Sequence, residues 1–410
     1  MRVRANLLKY IGPGFISAVA GLEITNIGSF SYVGSVYGFK ILWAIAFAII
    51  VTAFFQQLAV EVGIYNGRGI IIESRLTLGK HFTLFMLITL YISNLLTAVL
   101  NIAGAGMAIE TLTGMPWYIT SSAFLILIYG FIVKKNHKRV ERILSLLSIA
   151  LVVYIILALE YVINRPDTII DILKGTFIPY FKLDKEFILD FLMILGAAAA
   201  PYSIIFNVSS VLNKTLFTLP EEMKDIIVGL VFTSLASISI ALVSAYPSLR
   251  AGTIHEIVLT LQSSKPVHAI LFIVGSIASA LLSTLAIIIC NVYVLYEYRG
   301  YRIIWEDIIY TRRYRSQVTL SVIIILCIML GLGLLYNLSA NVYMILLRMA
   351  SVSTSFASWI PCVIIVVAYW SIREFRSSFI RVISALLAGF LAIANIIGFM
   401  SVVGLSLLQH

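Results

Sequence analysis

Residues 12–37 read GPGFISAVAGLEITNIGSFSYVGSVY, a run long enough to cross a bilayer as a helix. One acid, Glu23, sits near its middle. A carboxylate at that depth costs about 2.5–3.5 kcal/mol on insertion scales, and an intramembrane acid reads by default as a functional site. Asn26 follows three residues later, so on a helix it lies beside Glu23. Gly21 and Gly28 flank the pair, and glycine lets a membrane helix loosen or pack closely. If the helix opens here, freed carbonyls join the Glu23 and Asn26 oxygens. Oxygen ligands around one negative charge suit a hard cation.

The rest of the chain places this run in a polytopic membrane protein. Hydrophobic residues make up 61% of 410 positions and charged residues 12%, against about 45–50% and about 25% in soluble domains. No segment is large enough for a separate soluble domain. A net charge of +10 reads as basic cytoplasmic loops, and no nucleic-acid partner is expected. Cys290, Cys327 and Cys362 lie in apolar runs and read as small buried hydrophobes. The first apolar run is too long for a secretory signal peptide.

Eleven spans of about 20 or more apolar residues are expected: 11–37, 41–65, 82–111, 117–133, 143–164, 187–212, 225–247, 267–296, 317–337, 340–370 and 378–407. The longest link, 165–186, is polar and carries Pro166 and Pro179. Most of the 29 Lys and Arg residues fall on alternate links, which predicts a cytoplasmic N-terminus and, after eleven spans, an external C-terminus. Glu61, Glu110, Glu160 and Asp190 sit near span ends and read as interfacial charges. The histidines fall in or beside loops and form no ligand spacing.

The spans divide into two halves. Five end near Asn164, and the sixth, with LMILGAAAAPYSIIFNVSS, carries Pro201 near its middle. Proline removes a hydrogen bond to the residue four earlier. Spans 1 and 6 are then interrupted at corresponding places in two five-helix halves of opposite topology, the arrangement that points to a transporter's binding site. The chain reads as one membrane transport domain, with 11–164 as the first repeat, 187–370 as the second and 378–407 as an extra helix.

An ordered set of motifs resembles the NRAMP family of divalent metal transporters: G-P-G-F at 12–15, the acid and amide at Glu23 and Asn26, QQLAVEVGIYNGRG at 56–69, TLTGMP at 111–116, G-A-x-x-x-P at 196–201 and the W-I-P ending at Pro361. The resemblance covers most of the chain. It implies an all-α membrane fold of LeuT type, no enzyme activity, no tightly bound cofactor, no obligate protein partner, and uptake of a divalent cation at the cell membrane by alternating access.

Carried over residue by residue, the family's helix 1 motif D-P-G-N is matched by Glu23-Ile24-Thr25-Asn26. The acid is one methylene longer and the Pro and Gly are gone. The helix 6 motif A-x-x-M-P-H is matched by Ala197 through Tyr202. The resemblance makes the Ala197 carbonyl a metal ligand beside Glu23 and Asn26, with Ala200, Pro201, Tyr202, Thr354 and Arg348 around the cavity. Ala200 replaces the thioether, and a thioether favours softer metals, so the remaining oxygens lean toward manganese or magnesium. Acids of the family's helix 3 fall at Ala98 and Asn101, and Tyr202 stands for the histidine. That leaves no group titrating near pH 7 beside the site, and weak or absent proton coupling is expected. Arg348 would repel a dication or form an internal ion pair with Glu23. Two other readings stay open: a LeuT-type carrier of an amino acid or amine, using Glu23 and Arg348, and a non-transporting membrane sensor.

Overall fold

The computed structural model describes residues 15, 19–134, 137–182, 184–212, 219–245, 254–301, 311–336, 340–372 and 378–408. Residues 12–14 of the G-P-G-F motif, residues 135–136 of the basic run and the chain ends on which the orientation rests lie outside the described residues. Among the described residues the structure is helical throughout: α1 Ile24–Tyr37, α2 Leu42–Asn66, α3 Ile70–Thr77, α4 Gly79–Thr113, α5 Trp117–Lys134, α6 His137–Ala150, α7 Val152–Asn164, α8 Ile169–Phe177, α9 Lys185–Ala198, α10 Pro201–Leu212, α11 Leu219–Ala245, α12 Ile254–Ser264, α13 Pro266–Tyr298, α14 Arg312–Tyr336, α15 Ala340–Ser371 and α16 Ser378–Leu408.

Nine described stretches are long and apolar enough to cross a membrane, and the 17-residue Trp117–Val133 is a shorter apolar helix. One of the nine, Ile24–Asn66, joins two expected spans through a 3-10 turn at Gly38–Ile41. The fifth expected span is divided at Leu151 between α6 and α7. The links expected at 165–186 and 248–266 hold the short helices α8 and α12. Their leucine and isoleucine content makes one face of each apolar, which a span-length reading overlooks.

The most apolar window of α13 is 83% buried, whereas those of α14 and α16 are 28% and 22% buried. So α13 runs through the centre, packed along α4, and α14 and α16 line the lipid side. Cys290 and Cys362 are buried as expected, but Cys327 is exposed, because α14 turns that face outward. Small residues let the inner helices approach closely, since lipid supplies no hydrophobic drive for association. A Cβ on Gly34 would lie 2.4 Å from the Ala241 carbonyl oxygen, and one on Gly196 would lie 2.0 Å from that of Ser351. Those contacts set α1 against α11 and α9 against α15.

Candidate functional site

Both expected interruptions are present. Before α1 the helix at Val19–Ala20 stops, residues 21–23 are non-helical, and Glu23 is extended at φ −97° and ψ 171°. The second break is at Ala199–Ala200, between α9 and α10. Pro201 opens α10, and having no N–H it leaves the Ala197 carbonyl without its usual partner four residues on.

The first break needs no proline because side chains take over its backbone groups. The Ala20 carbonyl accepts from the Tyr202 hydroxyl at 2.5 Å. The Gly21 carbonyl accepts from Asn26 Nδ2, and the Leu22 carbonyl from Ser279 Oγ at 2.7 Å. On the helical side, the Thr25 N–H donates to Asn101 Oδ1 at 3.3 Å. Each replaces a bond that an unbroken helix would make, which satisfies the rule that backbone at this depth must be paired within the protein.

Glu23 stands at the N-cap position of α1, makes no side-chain capping hydrogen bond and is 1% exposed. Its Oε2 accepts from Asn101 Nδ2 at 3.1 Å and, at 3.2 Å, shares the single Tyr202 hydroxyl proton with the Ala20 carbonyl. Asn101 Nδ2 also donates to Ser283 Oγ at 3.0 Å, and Ser283 donates to the Ser279 carbonyl at 2.8 Å. A carboxylate at a helix N-terminus also gains from the helix dipole. Tyr202 therefore bridges the two breaks: it stands at the second position of α10 and reaches both the opened turn and the acid.

The structure brings together Glu23 and Tyr202, and puts Ala197, Ala200 and Pro201 at the second break. It does not join Asn26 to Glu23. The Asn26 amide nitrogen is held by Gly21, and its buried oxygen has no partner. Asn26 lines a small cavity with residues of α2, α9 and α11 instead. Thr354 lies with Ser93 at 3.3 Å and Thr97 at 3.4 Å, a hydroxyl cluster between α4 and α15. Ser358, one turn on, donates to the Ala199 carbonyl and so holds the second break. Asn101 was singled out only as the place of a family acid, and Ser279 and Ser358 were not expected as site residues. Their only signal was isolated polar side chains in apolar helices.

Arg348 does not pair with Glu23. Its Nη2 lies 2.8 Å from Asp190 Oδ1 and 2.5 Å from the Tyr32 hydroxyl, and Nη1 lies 3.4 Å from Glu186 Oε2. Tyr37 donates to Asp190 Oδ2 at 2.9 Å. The guanidinium also sits over the Tyr32 ring, 4.9 Å from its centre. Asp190 is thus no interfacial charge: its side chain is 2% exposed, because α1 and α15 close over it. Arg348 stands two helical turns into α15, at the Tyr37 end of α1, while Glu23 is at the opposite end of α1. A guanidinium cannot span that separation. The network instead ties together the ends of α1, α9 and α15.

Among the described residues no three His, Cys, Asp or Glu side chains gather as a metal cluster. A cation at the breaks would be held by one carboxylate and neutral oxygens.

A family profile described as natural resistance-associated macrophage protein-like matches residues 14–401. The divalent metal cation transporter MntH of Bacillus subtilis is 25% identical over 293 residues, 68% of this chain and 68% of its own length. Natural resistance-associated macrophage protein 1 of Gallus gallus is 25% identical over 229 residues, 53% of this chain and 40% of its own. The structure of the Eremococcus coleocola manganese transporter superposes with a TM-score of 0.80 at 15% identity, covering 98% of this chain and 88% of that one. MhsT, solved with L-phenylalanine, superposes at 0.64 with 15% identity over 95% and 98%. The fold is therefore that of the LeuT-type transporters. With the profile running across nearly the whole chain, this protein belongs to the natural resistance-associated macrophage protein (NRAMP) family.

Proposed function

We propose that this chain moves a divalent cation across the cell membrane by alternating access, binding it where the two helix breaks face each other. The observation that carries the reading is the Tyr202 bridge: its hydroxyl contacts both the Ala20 carbonyl and Glu23, so one side chain joins the two breaks around a buried acid. Half-helix C-terminal ends and unwound carbonyls attract cations. Glu23 supplies the charge and Ala197 a carbonyl released by Pro201. Asn26 adds its amide oxygen by turning it toward Glu23. The relatives named for divalent metal and manganese transport support this class of cargo.

Carboxylate, carbonyl and amide oxygens suit manganese or magnesium over softer ions. Ala200 is small where a thioether would fill space, which leaves room for an ion that keeps part of its water shell, as magnesium does. Asn101 in place of an acid, and Tyr202 in place of a histidine, leave proton movement uncoupled or weakly coupled to the metal. The two inverted repeats, 11–164 and 187–370, would carry the rocking motion. With the N-terminus inside, the Arg348 network lies at the outer end and closes the external path. The organic-solute reading loses ground, because Arg348 is engaged by Asp190, Glu186 and Tyr32 rather than open to a substrate carboxylate.

The test is uptake of Mn2+ and of Mg2+ into liposomes holding the purified protein, beside Glu23→Ala and with a pH dye inside. Saturable uptake lost in the variant, with little proton entry, is expected. No uptake of either ion by folded protein would overturn the reading.

A further inference from the structure

The link between α7 and α9 has a surface of its own. The spans it joins end at Asn164 and begin at Lys185, so α8 lies at a membrane face. Gly175 sets α8 directly on the 3-10 turn after α1: a Cβ there would lie 2.0 Å from the Phe39 carbonyl oxygen. The opposite face turns away from the protein. Ile170, Leu173 and Phe177, spaced three and four apart on one side of the helix, are 62%, 51% and 76% exposed. Ile178 and Phe181 extend this apolar stripe and are exposed as well. So are Ile156, Leu159 and Ile163 of α7, and exposed apolar side chains thus run from the preceding span into this helix. A helix face of this kind lies at the boundary between headgroups and acyl chains. Tyr37, Trp43 and Tyr180 supply the aromatic types of that boundary, and Trp43 packs on Phe181 with ring centres 4.7 Å apart.

Between α8 and the turn a cavity of about 590 Å³ opens, within the roughly 300–1,000 Å³ of small-molecule sites. Tyr37, Lys40, Asp171, Lys174, Pro179 and Tyr180 are among the residues that line it. Lys40 Nζ lies 5.3 Å from the centre of the Tyr180 ring. Among the described residues no carboxylate forms an ion pair with either lysine. Two ammonium groups against one carboxylate leave the lining positive, which suits a phosphodiester. Ionised Asp171 can only accept, so it suits a ligand that also carries hydroxyls. A second copy of this chain fits the face badly, because a two-fold contact would set the lysines of one stripe against those of the other.

We propose that this cavity binds the headgroup of an anionic phospholipid of the phosphatidylglycerol class, whose acyl chains lie along the α8 stripe. Lys40 and Lys174 hold the phosphate. Asp171 accepts from a glycerol hydroxyl, which a choline headgroup lacks. Ile170, Leu173 and Phe177 meet the chains. A headgroup there also touches Tyr37, whose hydroxyl donates to Asp190 at 2.9 Å, so the lipid sits against the network that ties α1, α9 and α15. The site is apart from the two helix breaks, and it rests on the chain spanning a membrane rather than on what the chain carries.

The test is photolabelling of the full chain in liposomes by phosphatidylglycerol with a diazirine in one acyl chain, the labelled peptides being read by mass spectrometry. Label is expected to concentrate in residues 169–181. Unlabelled phosphatidylglycerol is expected to displace it at about 30-fold lower concentration than phosphatidylcholine, the ratio that two lysines at about 1 kcal/mol each supply. Lys40→Gln combined with Lys174→Gln removes both charges and leaves Glu23, Tyr202 and Asp190 untouched; the two lipids should then displace alike. Equal displacement by the two lipids in wild type would mean ordinary boundary lipid and would overturn the proposal. So would an unchanged preference in the folded double variant. Displacement by glycerol 3-phosphate as effective as that by the whole lipid would make the occupant a soluble phosphate, and also overturns it. Absence of label from this stretch overturns it too, and cross-linking of chains through Lys174 would then assign the face to a second copy. No divalent ion or transport enters the assay, so failure of the divalent reading would leave this result standing.

Discussion

Replacing Asp190 by asparagine should open the path at the Tyr37 end of α1. The carboxylate accepts from Arg348 at 2.8 Å and from Tyr37 at 2.9 Å, and its side chain is 2% exposed while that of Arg348 is 32% exposed. Breaking a buried pair by removing one partner costs about 3–5 kcal/mol, and an exposed pair contributes about 0–1 kcal/mol. The pair lies between those limits, and Arg348 keeps Tyr32 and the more exposed Glu186, so the loss is about 2 kcal/mol. On the proposed alternating-access reading, the ends of α1, α9 and α15 would separate in the outward-open state, so the loss would fall on the closed state alone. At about 1.4 kcal/mol per factor of ten, the open population rises about 30-fold.

Ser29 gives the position from which to read this. It is fully buried, lies between Glu23 and Tyr32 on α1, and touches Ser351 of α15 at 3.4 Å. Ser29→Cys, in a chain with Cys290, Cys327 and Cys362 replaced, is labelled with a membrane-impermeant thiol reagent from the outside. Adding Asp190→Asn should raise the rate about 30-fold, the factor derived from the pair energy. Glu186→Gln, which acts on the long and exposed contact, should raise it little. Arg348→Met added to Asp190→Asn should bring back part of the closed population, because no buried charge is then left unpaired. Labelling of the Asp190→Asn chain at the parent rate would refute the reasoning and make the network a fixed structural tie.

Three further outcomes follow from single contacts. Tyr202→Phe keeps the ring but leaves the Ala20 carbonyl and Glu23 without that donor, so it should lower stability by about 1–3 kcal/mol, read as a thermal shift beside wild type. Gly34→Ala drives a methyl toward the Ala241 backbone oxygen, which cannot rotate away; a loss of about 1–3 kcal/mol is expected, and equal melting temperatures would show that α1 and α11 part easily. Asp184 caps α9 through the Phe187 N–H at 2.8 Å, and the Lys182 ammonium beside it, then that N–H, hold its carboxyl below the ordinary range. A depressed carboxylate stabilises at neutral pH and loses this as pH falls through its lowered value. The stability gap between wild type and Asp184→Asn should therefore close on acidification.

How far the sequence reached depended on whether a residue acted alone or through a distant partner. Glu23 was legible because a single carboxylate in an apolar run is costly wherever it lands. Pro201 was legible because its missing N–H breaks any helix. The α-helical class followed from run length alone. Asp190 was misread because it lies only five residues into α9, where headgroups seem reachable; its burial comes from α15, more than 150 residues away. A pair between Arg348 and Glu23 was one of two readings that charge alone allowed, and the length of α1 between them forbids it. Ser279 gave no signal beyond lone polarity and Asn101 only its place where the family carries an acid, since each acquires its role from a backbone group or side chain on another helix.

The opened turn shows why the absence of Pro and Gly from the first motif did not prevent a break. A proline would enforce an interruption in every state, whereas here three carbonyls are held by three separate donors. Tyr202 brings one from α10, Ser279 brings one from α13, and Asn26 folds back from α1 itself. Each bond is worth about 0.5–1.5 kcal/mol net. A cation approaching Glu23 thus competes with hydroxyl and amide donors for the same carbonyls. Its arrival would release Tyr202 from Ala20 and loosen the junction between α1 and α10. On the proposed reading, the break that would bind the ion and the Tyr202 contact between α1 and α10 are one structure, and an ion would move those helices by replacing the bonds that hold them.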